Sequence, residues 1–118
     1  PSVGDFYAGM LVHLPLHADQ FSTAVNADQL YQLYADWYAG AALVRMGAAC
    51  ANDENTPNML AADALADTDS MEIFVFSDAQ ARRFWLVVRL DNLGKGASGA
   101  AVQNMNIALG IDEAISLA

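Results

Sequence analysis

The residues of this chain best placed to do chemistry lie in one run, Asp91 to Gly110, read DNLGKGASGAAVQNMNIALG. Asp91 and Asn92 close an apolar stretch, Phe84 to Leu90, and small residues after Gly96 open a helix. Gly and Ala at a helix N-terminus let a ligand approach free N–H groups, where the positive end of the dipole favours an anion. Gly94 and Gly96 permit a turn that a side chain opposes, and Lys95 adds a positive charge to a chain with few. The run reads as a site for a polar or anionic ligand, or as a tightly packed strand–helix corner. It is not a dinucleotide fingerprint, which needs G-x-G-x-x-G inside a βαβ unit; no second strand follows GKGASG.

Other chemistry-bearing residues are more dispersed. His13 and His17 share a face by period-two counting, but without a third ligand nearby they read as solvent-facing rather than metal-binding. Cys50 has no neighbouring His or base to lower its pKa, so it reads as structural or incidental. Asp63, Asp67 and Asp69 read as a solvated acidic run with at most weak affinity for a cation. Gln103, Asn104 and Asn106 form a dense amide cluster that either binds polar ligand groups or, the favoured reading, satisfies nearby backbone.

The elements that must position these residues follow from pattern. Met10 to His17 reads as a strand, placed at an edge or bulge by Pro15. Asn26 and Gln29 form a capping box for a helix carrying Leu30, Leu33, Tyr34 and Trp37 at helical spacing, which Gly40 ends. Ala42 to Met46 suggests a short strand. The segment 48–70 is least legible: a polar loop at Asn52–Pro57, then a helical turn at Met59 to Leu65. Met71–Phe76 and Arg82–Leu90 form an antiparallel hairpin. In the second strand Phe84, Leu86 and Val88 face one way, and Trp85, Val87 and Arg89 the other. Both faces are largely apolar, so both are expected to be covered, one by helices and one by a partner subunit. A helix over Ala97 to Leu109 places Ala101, Met105 and Ala108 on one face, with Gly110 as its cap, and Ile111 to Ala118 reads as a short terminal helix. The order implies a single α+β domain over 1–118, a mostly antiparallel sheet with helices packed on one face.

Composition bounds the function. The chain has 118 residues, 55% of them hydrophobic, enough for one real core. A net charge of −9 argues against nucleic acid, since there is no basic stripe to neutralise phosphates. There is no apolar run of membrane-spanning length. A single cysteine fits a reducing, cytoplasmic setting. The chain begins with Pro1 rather than Met, which suggests a fragment or trimmed product.

DNLGKGASGAAVQNMN resembles the C-terminal segment of N-acetyl-γ-glutamyl-phosphate reductase, the NADP-dependent semialdehyde dehydrogenase of arginine biosynthesis. PSVGDFYAGMLVHLPL and the Leu30-to-Tyr38 helix ending in Tyr38-Ala39-Gly40 resemble that family in the same order. The resemblance implies a domain like the C-terminal domain of glyceraldehyde-3-phosphate dehydrogenase, the catalytic and assembly half, whose sheets pack between subunits of a homo-oligomer. It implies a chemistry in which a cysteine thiolate attacks the acyl phosphate of N-acetylglutamyl phosphate, expels phosphate, and leaves a thioester that NADPH reduces to the semialdehyde. The family's Rossmann domain, Pro-Gly-Cys nucleophile and catalytic histidine are expected upstream of Pro1. Cys50, His13 and His17 match none of these, so this chain alone is expected to be inactive. What the resemblance leaves here is a cofactor edge: Asn92 hydrogen-bonding the nicotinamide carboxamide, with Gly94, Lys95 and Gly96 lining it. Some members carry Arg where this chain has Ala8, so no substrate contact is carried over there. The alternative is a non-enzymatic assembly or binding module derived from that domain.

Overall fold

The computed structural model describes residues 1–47, 59–78 and 80–118. Four strands form one mixed sheet: β1 (Met10–His17), β2 (Val44–Met46), β3 (Met71–Ser77) and β4 (Arg83–Leu90), in the order β1-β4-β3-β2. β4 pairs antiparallel with both β1 and β3, whereas β2 lies parallel to β3. Two of the three pairings are antiparallel, and the parallel β2–β3 pair is the exception within the mostly antiparallel sheet expected from sequence. β1 is an edge strand whose outer side meets only Ser2, opposite Leu11, among the described residues. An edge tolerates Pro15, which has no N–H to give a second neighbour.

Two helices accompany the sheet, α1 (Ala27–Trp37) and α2 (Gly99–Ala108). The α1 start is set locally: Asn26 Oδ1 accepts the Gln29 N–H at 2.8 Å, and Gln29 Oε1 accepts the Asn26 N–H at 2.9 Å. Gly40 supplies the left-handed φ of 83° just past its end. We expect Asn26→Ala to lower unfolding free energy by about 1 kcal/mol, measured by urea denaturation.

α1 covers one sheet face through Leu30, which joins Val75, Phe84 and Leu86 in the core, flanked by Leu16, Phe21, Tyr31, Tyr34 and Met46. Phe21 stands edge-on to Phe84 with ring centroids 5.6 Å apart. Burying such side chains contributes about 1.5–3 kcal/mol each, so this cluster dominates the stability of the hairpin. Leu33 and Trp37, on the same helix, are exposed, Trp37 by 80%.

The opposite face carries charge as well as rings. Arg89 and Arg45 both pair with Glu72, and the Arg89 guanidinium lies 5.1 Å from the Phe74 ring centre. Burial raises the Glu72 pKa, but the two guanidiniums outweigh that and hold it below the usual glutamate range. His13 and His17 do lie on this face. His13 Nδ1 accepts the Trp85 indole N–H at 3.1 Å and its Nε2 is 3.0 Å from Ser2 Oγ, so the ring is engaged with protein groups.

The C-terminal region departs furthest from the sequence reading. α2 begins at Gly99, after a wide turn, and packs chiefly against that turn, so among the described residues α1 is the helix that lies along the sheet. Its expected apolar face looks outward: Ala101, Met105, Ala108 and Leu109 are exposed, and Asn106 is buried. The reason is polar. Asn106 Nδ2 donates to the carbonyls of Glu113 and Ile115 at 3.2 and 2.9 Å, which draws the amide inward. Residues 111–118 therefore form turns rather than a helix. Residues 62–67 likewise form successive turns, while the Asn52–Pro57 loop and Cys50 lie outside the described residues.

Candidate functional site

β4 ends at Leu90, and the chain turns at once through Asp91 and Asn92 into the wide turn Gly94–Ser98. In that turn the N–H groups reach five residues back: Gly96 to the Asp91 carbonyl at 2.7 Å and Ser98 to the Leu93 carbonyl at 3.1 Å. Such π-type geometry is uncommon and is often found at functional positions.

Asp91 organises the turn. It is buried, with 2% of its surface exposed. Its Oδ1 accepts the N–H groups of Leu93 and Gly94 at 2.6 and 3.1 Å, and its Oδ2 accepts that of Asp67 at 2.7 Å. Asp67 adopts a left-handed φ of 62° as it does so. Burial raises the Asp91 pKa, yet the three backbone donors together hold it below the usual aspartate range. The N–H groups of Leu93 and Gly94, at the head of this turn, are therefore occupied by the chain's own carboxylate. The signal was present in sequence, since Asp followed three residues later by Gly is the pattern of a side chain capping its own turn. Its long-range bond to Asp67 was not legible.

The four residues expected at a cofactor edge do lie together. Asn92 Oδ1 accepts the Gly9 N–H at 2.8 Å, tying the loop to the entrance of β1. Lys95 Nζ donates to Gln103 Oε1, and Gln103 Nε2 donates to Glu113 Oε2 at 2.7 Å. The glycines have packing reasons of their own. A Cβ on Gly94 would stand 2.5 Å from the Thr68 carbonyl oxygen, and one on Gly99 would run into the Asp69 carboxylate. A Cβ on Gly96 would meet Leu90 Cδ1 and the Asp91 carbonyl oxygen at 3.0 and 3.1 Å. Of the two readings of this run, these contacts describe the tight corner; beside it, Gly94 alone of the four expected residues borders a cavity. That cavity, of about 310 Å³, has Tyr7, Asp67, Asp69, Leu93 and Ser98 in its wall. A more apolar cavity of about 390 Å³ sits at the far end of the sheet, against Pro15, Phe76 and Trp85. Among the described residues no three His, Cys, Asp or Glu side chains are grouped to hold a metal.

No protein-family model matches the chain, but individual curated proteins do. It is 41% identical over 120 residues to an N-acetyl-gamma-glutamyl-phosphate reductase of Trichormus variabilis, covering 99% of this chain and 37% of that one. N-acetyl-gamma-glutamyl-phosphate reductase 2 of Nostoc sp. is 41% identical over 123 residues, 99% of this chain and 37% of its own. The Sinorhizobium medicae protein of the same name is 40% identical over 111 residues, 92% of this chain and 34% of its own. Over nearly its whole length the chain is similar to N-acetyl-gamma-glutamyl-phosphate reductases. It spans about a third of the length of the curated reductases it matches. Among the described residues no helix is long and apolar enough to cross a membrane.

Proposed function

We propose that the chain is the C-terminal, catalytic and assembly part of an N-acetyl-gamma-glutamyl-phosphate reductase, which reduces N-acetylglutamyl phosphate to the semialdehyde in the cytoplasm. The observation that carries this reading is the 41% identity over 99% of the chain. The domain is read as one of the glyceraldehyde-3-phosphate dehydrogenase C-terminal type, and a separate nucleotide-binding domain supplies most of the cofactor contacts. Bound NADPH supplies the hydride.

The chain's own share is the loop after β4. Asn92 Oδ1 is engaged with Gly9, so Asn92 would meet the nicotinamide carboxamide through Nδ2. Gly94, Lys95 and Gly96 are read as lining the same edge. Self-association through the sheet face opposite α1 is supported by exposed Trp85, 53% accessible.

A chimera tests the reading: this chain joined to the upstream two-thirds of the Trichormus variabilis relative, assayed by NADPH oxidation. The isolated chain is expected to show no turnover and the chimera to be active. Asn92→Ala in the chimera is expected to raise KM for NADPH about tenfold. A folded chimera that oxidises no NADPH would sink the assignment.

A further inference from the structure

An open nest of N–H groups at a helix start binds phosphate because the donors and the dipole converge on it. Here that place is filled from within. The N–H groups of Leu93, Gly94 and Asp67 converge on the buried Asp91 carboxylate. Asp69 brings a second carboxylate, its Oδ1 pressed against Gly99 and its Oδ2 accepting the Ala118 N–H at 3.0 Å. The Ser98 hydroxyl is also committed, donating to the Leu93 carbonyl at 2.8 Å. A phosphate entering this turn would have to displace one carboxylate and lie beside another, and like charges at such range repel. An uncharged amide meets no such opposition.

We propose that Asp91 is a positioning residue that serves as the built-in anion of this turn, so that the loop turns phosphate away from its backbone and presents Asn92 to the uncharged carboxamide end of a cofactor. The proposal rests on the reading of residues 92–96 as a cofactor edge. Asp91 fixes the turn just after Asn92 through the Leu93 N–H, and the Gly9 N–H holds Asn92 Oδ1, so the Asn92 side chain has its aim set before any ligand arrives.

The test uses the 118-residue chain, labelled with ¹⁵N, and two probes, inorganic phosphate and formate, against chloride at equal ionic strength. In the wild type, phosphate is expected to leave the Leu93 and Gly94 amide signals unmoved. In Asp91→Ala the emptied nest is expected to accept formate, raising the unfolding midpoint by about 3 °C and restoring protection of those amides, with no such response in the wild type. A purely structural role for Asp91 would give the loss without the rescue. Phosphate-dependent shifts of Leu93 and Gly94 in the wild type, or a folded Asp91→Ala indifferent to formate, would overturn the proposal. Should Asp91→Ala fail to fold, Asp91→Asn decides. Its amide nitrogen faces the Asp67 N–H, so exchange at Asp67 is expected to quicken about tenfold while Leu93 and Gly94 stay protected. Unchanged exchange at Asp67 would overturn the proposal equally. The cofactor reading fails by a different sign, an unaltered NADPH KM in the Asn92→Ala chimera, which leaves the phosphate and formate results standing.

Discussion

Gly9→Ala is expected to lower unfolding free energy by about 3 kcal/mol, a large loss for removing no side chain. Two costs add. Gly9 has a φ of 125°, outside the regions an L side chain adopts readily. An added Cβ would also stand 2.5 Å from the Ala62 carbonyl oxygen and 2.6 Å from Asp63 Cα, both backbone atoms that cannot swing aside. The strain would pull on Asn92 too, because the Gly9 N–H donates to Asn92 Oδ1. Gly40→Ala is the control. Its φ of 83° is also left-handed, but nothing lies within 4 Å of the added Cβ. It is expected to cost about 1 kcal/mol, from backbone strain alone. Urea unfolding followed by tryptophan fluorescence compares the two; equal losses would show that the contact with residues 62–63 contributes nothing.

That comparison also marks where sequence stopped being legible. The capping box at Asn26 and Gln29, the β3–β4 hairpin and the extent of β1 depend on residues close in the chain, and their chemistry is visible in a short window. The need for a glycine at position 9 was not legible, because the atoms that require it belong to residues 62 and 63. The parallel placement of β2 likewise depends on a crossover, not on its own three residues. α2 shows a subtler failure. Its apolar residues suggested a buried stripe, but the carbonyls of Glu113 and Ile115 needed a donor, and Asn106 supplied it. A buried amide with both bonds made outranked the apolar count. The candidate site divides in the same way. The grouping of Asn92, Gly94, Lys95 and Gly96 was visible as a run of residues. That the run's amides already hold an anion was not, since one of the three donors comes from Asp67.

Asp91→Asn is expected to cost about 2 kcal/mol near neutral pH, and the cost should shrink in acid. The neutral side chain keeps an acceptor for Leu93 and Gly94 but turns an N–H₂ toward the Asp67 N–H, leaving two donors face to face. The pH dependence follows from the depressed native pKa of Asp91. The native state binds the Asp91 proton more weakly than the unfolded state does, so the carboxylate's contribution is fully present above the unfolded value, about pH 4, and is lost as pH falls through the native one. Glu72 and Asp78 are depressed in the same direction and also favour acid unfolding. They are present in both proteins, however, and cancel in the difference. Unfolding free energies of wild type and Asp91→Asn, measured by urea denaturation from pH 7 down to pH 3, should therefore converge below about pH 4. A gap that stays constant across this range would mean that the charge on Asp91 adds nothing to the turn. In that case shape alone would hold Leu93 and Gly94, and the loop after β4 would owe its resistance to phosphate to crowding rather than to an internal anion.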